Sequence, residues 1–535
     1  MKKTIITLIF SVMAGVVLAG GIVTNTNQSA SFLRNPARGG LLGIEAAYFN
    51  PGGLTKLNDG FHLSLSNQFI TQDRLIKTSR AGLNIDEFAG EVKAPLFPSA
   101  YAVFKKNKFA VSFGFNPIGG GGGAFYPDGL PSFEYQVAGL RSTLNASGIP
   151  TTQYSYDTEF EGKSVYFGYQ ANIAYQFNDM LSASLGVRYV TINNSYNGYL
   201  KDISINPNFP AAGFTGTMVK APVFFEAMAG LFTNLAGVGA TIAPLASNAQ
   251  TQGLTLPQLV GAGLLTQAQA ASIAGGFAFI NPNVNANTIP IAAIHQGYVA
   301  ATPTFTANAN AMNANKAATA DKFVDALQKG SGIVPVVGLN VNLEKVNIGL
   351  KYEHKAAIKV KNETTKDDVG MFPDGAEVPS DMPSMISIGI GYEPSKRVGL
   401  AVTYHTYMDK SAEYGKMLNG QYVKNDQLMD RNLWEFAFGV HYKATEKLLL
   451  SSGYLVTNTG VKPEYQSDLS HSLSTFSFGA GAKYSFTDKI GVNAGVMRTY
   501  YNTYVKNFAP QNQPQFGETY SRKNLAFGLG LDLSF

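Results

Sequence analysis

Six histidines are the side chains best suited to proton or metal chemistry: His62, His295, His354, His405, His441 and His471. None lies at metal-ligand spacing from another, so no metal site is expected. His405 and His441 fall on the small, polar face of alternating segments and each could line an interior, where a structural role outweighs a catalytic one. No Gly-x-Ser-x-Gly elbow occurs. Spacing alone leaves open a barrel lipase with Ser and His on neighbouring strands. The glycine run at 119–123 fails as a phosphate cradle, because no Lys-Ser/Thr follows it. The absence of Cys removes thiol catalysis, Cys-ligated zinc, disulfides and acylation of a lipoprotein cysteine. The expectation is a protein that is not an enzyme and carries no cofactor.

The composition bounds what the chain can be. Of 535 residues only 14% are charged, while 12% are aromatic (35 Phe, 27 Tyr, one Trp) and 56 are Gly. Charge-driven disorder is excluded by that balance. A net charge of +5 without a basic cluster leaves no nucleic-acid footprint. Lys2 and Lys3, the apolar run 5–17 and Val17-Leu18-Ala19 read as an export signal over 1–19. Beyond the first twenty positions no uninterrupted apolar run reaches the roughly 18 residues of a membrane helix. Export without cysteine fits a Gram-negative envelope.

The elements that must position any site alternate with a period of two. Leu525, Phe527, Leu529, Leu531, Leu533 and Phe535 alternate with Asn524, Ala526, Gly528, Gly530, Asp532 and Ser534. One face is apolar and the other small or polar, over the ~9–11 residues that a tilted membrane strand needs. Fourteen such segments are predicted, near 61–70, 97–105, 108–116, 163–177, 180–194, 331–343, 345–355, 384–393, 397–408, 432–443, 447–457, 474–486, 489–502 and 522–535. The polar face is mostly Gly, Ser, Asn and Ala, which suits a confined lumen. The apolar face tends to end in Tyr or Phe beside the turns, as at Phe104, Phe177, Tyr392, Tyr442 and Phe486, like an interfacial girdle. Connections alternate between very short and long. The expected fold is an all-β transmembrane barrel of about fourteen antiparallel strands over 58–535, multi-pass in a bacterial outer membrane.

Three stretches do not fit a bare barrel. Residues 20–57 are not strand-like, and Phe32, Leu33, Leu41, Leu42, Ile44, Tyr48 and Phe49 argue for burial as a plug rather than for a disordered tail. Residues 195–330 exceed an ordinary loop. There, Phe224, Phe225, Met228, Leu231, Phe232 and Leu235 make one apolar helical face, Leu256, Leu259, Val260, Gly263 and Leu264 repeat the spacing, Thr266 with Gln269 makes a capping box, and 321–329 is a third short helical candidate. The helical face reads either as self-packing or as an exposed groove that collects hydrophobic ligands. Finally, Asn116-Pro117 runs into Gly119 and Gly120. Pro cannot donate to a ladder and Gly weakens it, so the third strand either kinks and opens the wall or simply ends there.

With these residues in view, the chain resembles the outer-membrane long-chain fatty-acid and hydrophobic-compound transporters (FadL-like). The segment NQSASFLRNPARGGLLGIEAAYFNPGGLTKL matches their N-terminal layout, with Asn50-Pro51-Gly52 at the position of an Asn-Pro-Ala-type motif. Gly52 departs from the usual Ala, and Asn35-Pro36-Ala37 lies too far upstream for that position. The layout extends from signal and plug to the terminal Phe. The resemblance implies a monomer plugged by an N-terminal hatch, capture of a fatty acid or other hydrophobic small molecule in an extracellular groove, and lateral passage into outer-membrane lipid beside a kinked third strand. It also implies that Phe535 is read by the barrel assembly machinery. The rival readings are a general diffusion porin and an adhesive or structural outer-membrane barrel.

Overall fold

The computed structural model describes residues 24–418, 421–510 and 514–535; the export signal expected at 1–19 lies outside the described residues. Fourteen long strands follow one another: β1 Gly60–Thr78, β2 Glu87–Lys106, β3 Phe109–Tyr126, β4 Thr151–Gln176, β5 Leu181–Phe209, β6 Lys322–Leu343, β7 Val346–Glu353, β8 Met385–Tyr392, β9 Val398–Tyr407, β10 Leu433–Lys443, β11 Leu448–Asn458, β12 Thr475–Thr487, β13 Ile490–Tyr501 and β14 Phe516–Ser534. Each pairs with its sequence neighbours. β14 pairs antiparallel with β1 from His62↔Ser534 to Thr78↔Glu518, which closes the barrel.

Side chains are inverted relative to a water-soluble sheet. In β8, Ile388, Ile390 and Tyr392 are exposed while Ser387 and the intervening glycines face inward. Leu525, Phe527 and Leu529 of β14 are exposed beside buried Ala526. An apolar band outside and small polar residues inside is what a lipid-facing wall requires.

All fourteen expected strands are present, and several run further than their alternation indicated. β4 and β5 continue well past the apolar band, where the outward face turns from apolar to polar and charged and the sequence signal fades. β2 starts at Glu87 despite Pro95 and Pro98. A bulge in the β1–β2 register between Gln68 and Ile70 absorbs the break. The Asn67 side chain there stands in for ladder groups, accepting from Phe97 N–H (3.0 Å) and donating to the Pro95 carbonyl (3.0 Å). The expected helix at 321–329 is instead the start of β6. It is held by cross-strand pairing with the short strand Lys359–Asp367, from Val360↔Gly330 to Asp367↔Val324, so long-range pairing overrides local pattern.

Residues 135–157 and 200–321 form a compact unit of their own. Two long helices, α4 (Ala221–Ser247) and α7 (Ile291–Ala318), pack antiparallel, with Phe232 stacked on Phe305 and Lys316 Nζ 2.7 Å from Glu226 Oε1. Between them lie α5 (Leu256–Gly261) and α6 (Gln267–Phe277). α6 carries the Thr266/Gln269 capping box, and α5 carries a second one at Thr255/Gln258. α4 is long and apolar enough by length and composition to cross a membrane. Here, however, its apolar face is packed against α7: Phe224, Phe225, Met228, Phe232 and Leu235 are all buried, with Leu231 half-buried. A collecting groove needs free apolar surface, so self-packing accounts for this face.

Candidate functional site

The remaining unit holds the barrel and residues 24–59, which fold inside it. Ser29 caps a five-residue helix, α1 (Ala30–Arg34), by accepting from Phe32 N–H. α2 (Ala46–Phe49) follows, then the 3-10 turn Pro51–Lys56. Phe32, Leu33, Tyr48, Phe49 and Leu54 are buried in one cluster with lumen-facing residues of the wall. This apolar surface withdrawn from water is the main force seating the plug.

Glycines decide where the plug can lie. A Cβ on Gly391 would sit 2.6 Å from the Gly40 carbonyl oxygen, on Gly453 2.5 Å from Pro36 Cδ, on Gly481 2.9 Å from Arg34 Cβ and on Gly528 2.8 Å from Leu33 Cδ1. Gly349, Gly389, Gly439, Gly479 and Gly495 are closed off by the same chain at still shorter range. Nine inward glycines on β7 to β14 thus form a bed against which the plug's backbone and side chains lie directly.

On β4, β5 and β7 the plug is held by charge and amide groups. Arg188 of β5 makes a bidentate pair with Glu353 at the end of β7 (Nη1–Oε2 2.6 Å, Nη2–Oε1 2.7 Å) and donates twice to Gln170 Oε1. Lys351 Nζ lies 2.8 Å from Glu353 Oε1 and 2.8 Å from the Tyr48 carbonyl oxygen. The Tyr48 ring lies against both cations, 4.8 Å from the Arg188 guanidinium and 4.4 Å from Lys351 Nζ. Gln170 and Asn172 both donate to the Ala47 carbonyl at 3.0 Å. One buried carboxylate therefore balances two buried cations, and the last turn of α2 completes their coordination.

The Asn-Pro-Gly motif begins the turn that leads into β1. Asn50 Nδ2 donates to Asn340 Oδ1 at 2.7 Å, and the Gly52 carbonyl accepts from Ser182 Oγ at 2.8 Å. A Cβ on Gly52 would meet Asn340 N at 3.1 Å, so Ala could stand here after a small adjustment. Pro51 occupies the first position of the turn, where no N–H is needed.

The wall is interrupted between β2 and β3. Their pairing runs from Lys106↔Phe109 to Ala100↔Phe115, then resumes only at Glu91↔Phe125. β3 still follows β4, but with register shifts at Pro117/Gly119 and Gly119/Gly122, and Gly120 has a φ of 94°. The plug's first described residues occupy the freed edge. Thr24 bridges Gly119, Asn25 N–H donates to the Ile118 carbonyl at 2.7 Å, and Asn116 Nδ2 donates to Gln28 Oε1 at 2.7 Å. Asn116, Pro117, Gly119 and Gly120 all lie in this interrupted segment.

Toward the long-loop end, Ile76, Phe88, Tyr126, Phe160, Phe372 and Tyr520 belong to a second apolar cluster contributed by many strands and loops. Beside it the loops 408–432 and 459–474 bury polar groups. Lys416 Nζ bonds Ser470 Oγ and lies 4.3 Å from the Tyr465 ring centre; burial pulls its ammonium down to about 7. Burial likewise pushes the Asp409 carboxyl up to about 7, although Tyr414 OH and Leu433 N–H donate to it. His471 is stacked on Tyr520 with ring centres 4.7 Å apart; burial, then the neighbouring Arg522, hold it well below the usual imidazole range. At the short-turn end a cavity of about 490 Å³ is lined by Arg34, Arg38, Glu45, His62 and His441 among others.

His405 is buried in the lumen wall, its Nδ1 without a hydrogen-bond partner, and Phe535 pairs its N–H with the Phe61 carbonyl at 2.8 Å. Nothing in the sequence pattern announces the Arg188–Glu353–Lys351 cluster. Its only trace is charge on the small-residue face of two predicted strands.

No family model and no curated protein matches the chain. Its fold is similar to that of a Pseudomonas aeruginosa FadL homologue: TM-score 0.55 at 11% identity, covering 96% of this chain and all of that one. The P. putida toluene transporter TodX (TM-score 0.46, 14% identity, 92% of this chain and 94% of that one) and the Ralstonia pickettii toluene transporter TbuX (0.46, 13%, 93% and 97%) also match. The resemblance noted in the sequence holds at the level of fold: the chain is a FadL-type fourteen-stranded barrel.

Proposed function

We propose that this protein carries fatty acids or other small hydrophobic compounds inward across a bacterial outer membrane, passively, as a monomer. Ligand is taken up at the long-loop end, passes the aromatic cluster, and leaves sideways into lipid through the interrupted wall. The observation that carries the reading is the pairing gap between β2 and β3 beside a filled lumen. A plug that fills the bore argues against a general porin, and a side exit gives an apolar solute a path that avoids water. Asn116, Pro117, Gly119 and Gly120 are the proposed exit, and Asn50, Pro51 and Gly52 the anchor that fixes the plug to β1. The ligand-collecting role expected for the α4 face passes to the barrel's own aromatic cluster. The exposed terminal Phe535 serves assembly of the barrel.

The test is uptake of labelled dodecanoate and labelled toluene by cells making the wild type or a Pro117→Val/Gly119→Thr variant. Uptake should fall at least tenfold with the folded variant present in equal amount. Equal uptake would remove the side exit. Steady large conductance of the wild type in planar bilayers would favour the porin.

A further inference from the structure

The outward, lipid-facing side of β12, β13 and β14 is apolar or uncharged except at Arg498 and Lys523, and both are cations. Arg498 continues the outward row of Val492 and Val496 on β13, and Lys523 that of Leu525, Phe527 and Leu529 on β14. In the ladders Arg498 stands opposite Phe478 on one side and Leu525 on the other, and Lys523 stands opposite Tyr500. The two cations are therefore diagonal neighbours on adjacent strands, about 7 Å apart. Neither makes an ion pair among the described residues. Arg498 lies over the Tyr500 ring, 5.8 Å from its centre. Asp73 faces Lys523 across the β14–β1 ladder but stays beyond ion-pair distance. Outward cations on β1 and β2 are matched instead: Lys93 lies 2.5 Å from Glu91, and Lys77 pairs with Glu87.

Position decides what these charges meet. Arg498 and Tyr500 are the last outward residues of β13, at the long-loop edge of an apolar band about 25 Å tall. A cation there lies among lipid headgroups rather than acyl chains. Toward mid-membrane the same face is aromatic: Phe476 stacks on Tyr500 at 5.0 Å, and Phe478 lies 4.7 Å from Tyr454. Just past the strand end, Asn502, Thr503 and Tyr504 join Arg431, Asn458 and Thr459 around a cavity of about 320 Å³. Most of its polar side chains are amides and hydroxyls, which donate and accept as sugar hydroxyls do; Asp430 and Arg431 bring its only charges. Arg431 donates through Nε to Asn458 Oδ1 at 2.9 Å, and its two Nη groups bond nothing among the described residues. We propose that the outward face of β11 to β14 binds a phosphorylated glycolipid of the outer leaflet. Its phosphate meets Arg498 and Lys523, its sugar enters the cavity beside Asn458 and Asn502, and its acyl chains lie along Phe478, Val496 and Phe527. A guanidinium forks onto phosphate oxygens, and the lysine adds a point charge. The site is on the outside of the barrel, so it rests on the membrane placement of the fold and not on which solute crosses the bore.

The experiment measures binding of bis-phosphorylated lipid A, dephosphorylated lipid A, core-bearing lipopolysaccharide and phosphatidylglycerol to the full-length barrel in nanodiscs of neutral lipid. Lipid A should bind at least tenfold more tightly than its dephosphorylated form and than phosphatidylglycerol, and the core-bearing glycolipid more tightly still. In an Arg498→Gln/Lys523→Gln variant, checked for folding by its unheated gel mobility, the two forms of lipid A should bind alike. Lys77→Gln, which removes a matched outward cation, should leave their ratio as it was. Equal binding of the two forms by the wild type, a ratio that survives in the double variant, or phosphatidylglycerol bound as tightly as lipid A overturns the site. Core-bearing glycolipid bound no more tightly than lipid A overturns the place given to the sugar.

Discussion

If the inward glycines are the bed of the plug, filling two of them should unseat it while the barrel stays closed. Gly391→Ala and Gly453→Ala are the informative pair. The new methyl on residue 391 would lie 2.6 Å from the Gly40 carbonyl oxygen, and that on residue 453 2.5 Å from Pro36 Cδ. Carbon contacts are comfortable at about 3.5–4 Å, so the plug backbone must withdraw by roughly 1 Å at each place. A rigid proline ring and a peptide carbonyl offer little compliance. Overpacking of this kind costs about 1–3 kcal/mol per site. The two glycines lie on different strands, β8 and β11, so their effects should add to about 2–6 kcal/mol. That is less than the whole seat, which includes buried Phe32, Leu33, Tyr48 and Phe49 and the bonds around α2. The segment near 35–41 should therefore open locally rather than the plug being expelled.

The readout is trypsin cleavage after Arg34 and Arg38, whose side chains are enclosed in the seated plug. When local opening is in rapid equilibrium, cleavage follows the open population, and about 1.4 kcal/mol is a factor of ten. The double variant should be cut at these arginines at least tenfold faster than the wild type, with unchanged gel mobility of the unheated barrel. Gly230→Ala on α4, where an added Cβ meets nothing within 4 Å, is the control and should leave cleavage as it was. Unchanged protection in the double variant would refute the idea that the glycines were needed to admit the plug.

Glu353→Gln leaves Arg188 and Lys351 buried without their shared carboxylate, and should cost about 3–5 kcal/mol in urea unfolding from vesicles; a Glu353→Gln/Lys351→Met pair should recover part of it. The loops holding Asp409 and Lys416 should be least protected near neutral pH. Asp409 is raised to about 7, so the stability it contributes is complete below its unfolded pKa of about 4 and is lost as pH rises through 7. Lys416 is lowered to about 7, so its contribution is complete above about 10.4 and is lost as pH falls through 7. Hydrogen exchange across 408–432, corrected for intrinsic rates, should pass through a minimum of protection near pH 7; a monotonic profile would contradict this. Thr266→Ala removes one capping box and should cost α6 about 1 kcal/mol, visible as faster exchange over 267–277.

Much of this barrel is legible in the sequence because membrane strands obey a local rule. One residue in two faces lipid, so Ile388, Ile390 and Tyr392 or Phe476 and Phe478 announce themselves without knowledge of any partner. The capping box at Thr266 is legible for the same reason, since both halves lie within four residues. What escapes depends on distant contacts. The start of β6 has a helix-like spacing, yet pairing with 359–367 makes it a strand. α7 is hard to read because its Ala-rich sequence is interrupted by Pro303 and its apolar stripe is thin; the buried Ile291, Ile294, Tyr298, Phe305 and Met312 do fall on one face, and α4 supplies the partner they pack against. Arg188 and Glu353 lie 165 positions apart, and no local pattern could join them. The glycines are visible as a count and as a polar face, but their role as a bed appears only when the plug lies against them.

The plug and the wall gap are not independent features. Where β3 leaves β2, the backbone groups of Ile118 and Gly119 lose their ladder partners at membrane depth, and unpaired peptide groups there are strongly unfavourable. Thr24 and Asn25 of the plug supply the missing partners, while Gln28 holds Asn116. The same chain segment then continues onto the glycine bed and ends at the Arg188–Glu353–Lys351 cluster. In the proposed mechanism, a ligand that displaces residues 24–28 removes the strand-like cover from the gap while the glycine bed and α2 keep the bore closed. The wall can thus open sideways without the barrel becoming a pore. That division of labour follows from where the two ends of the plug are attached.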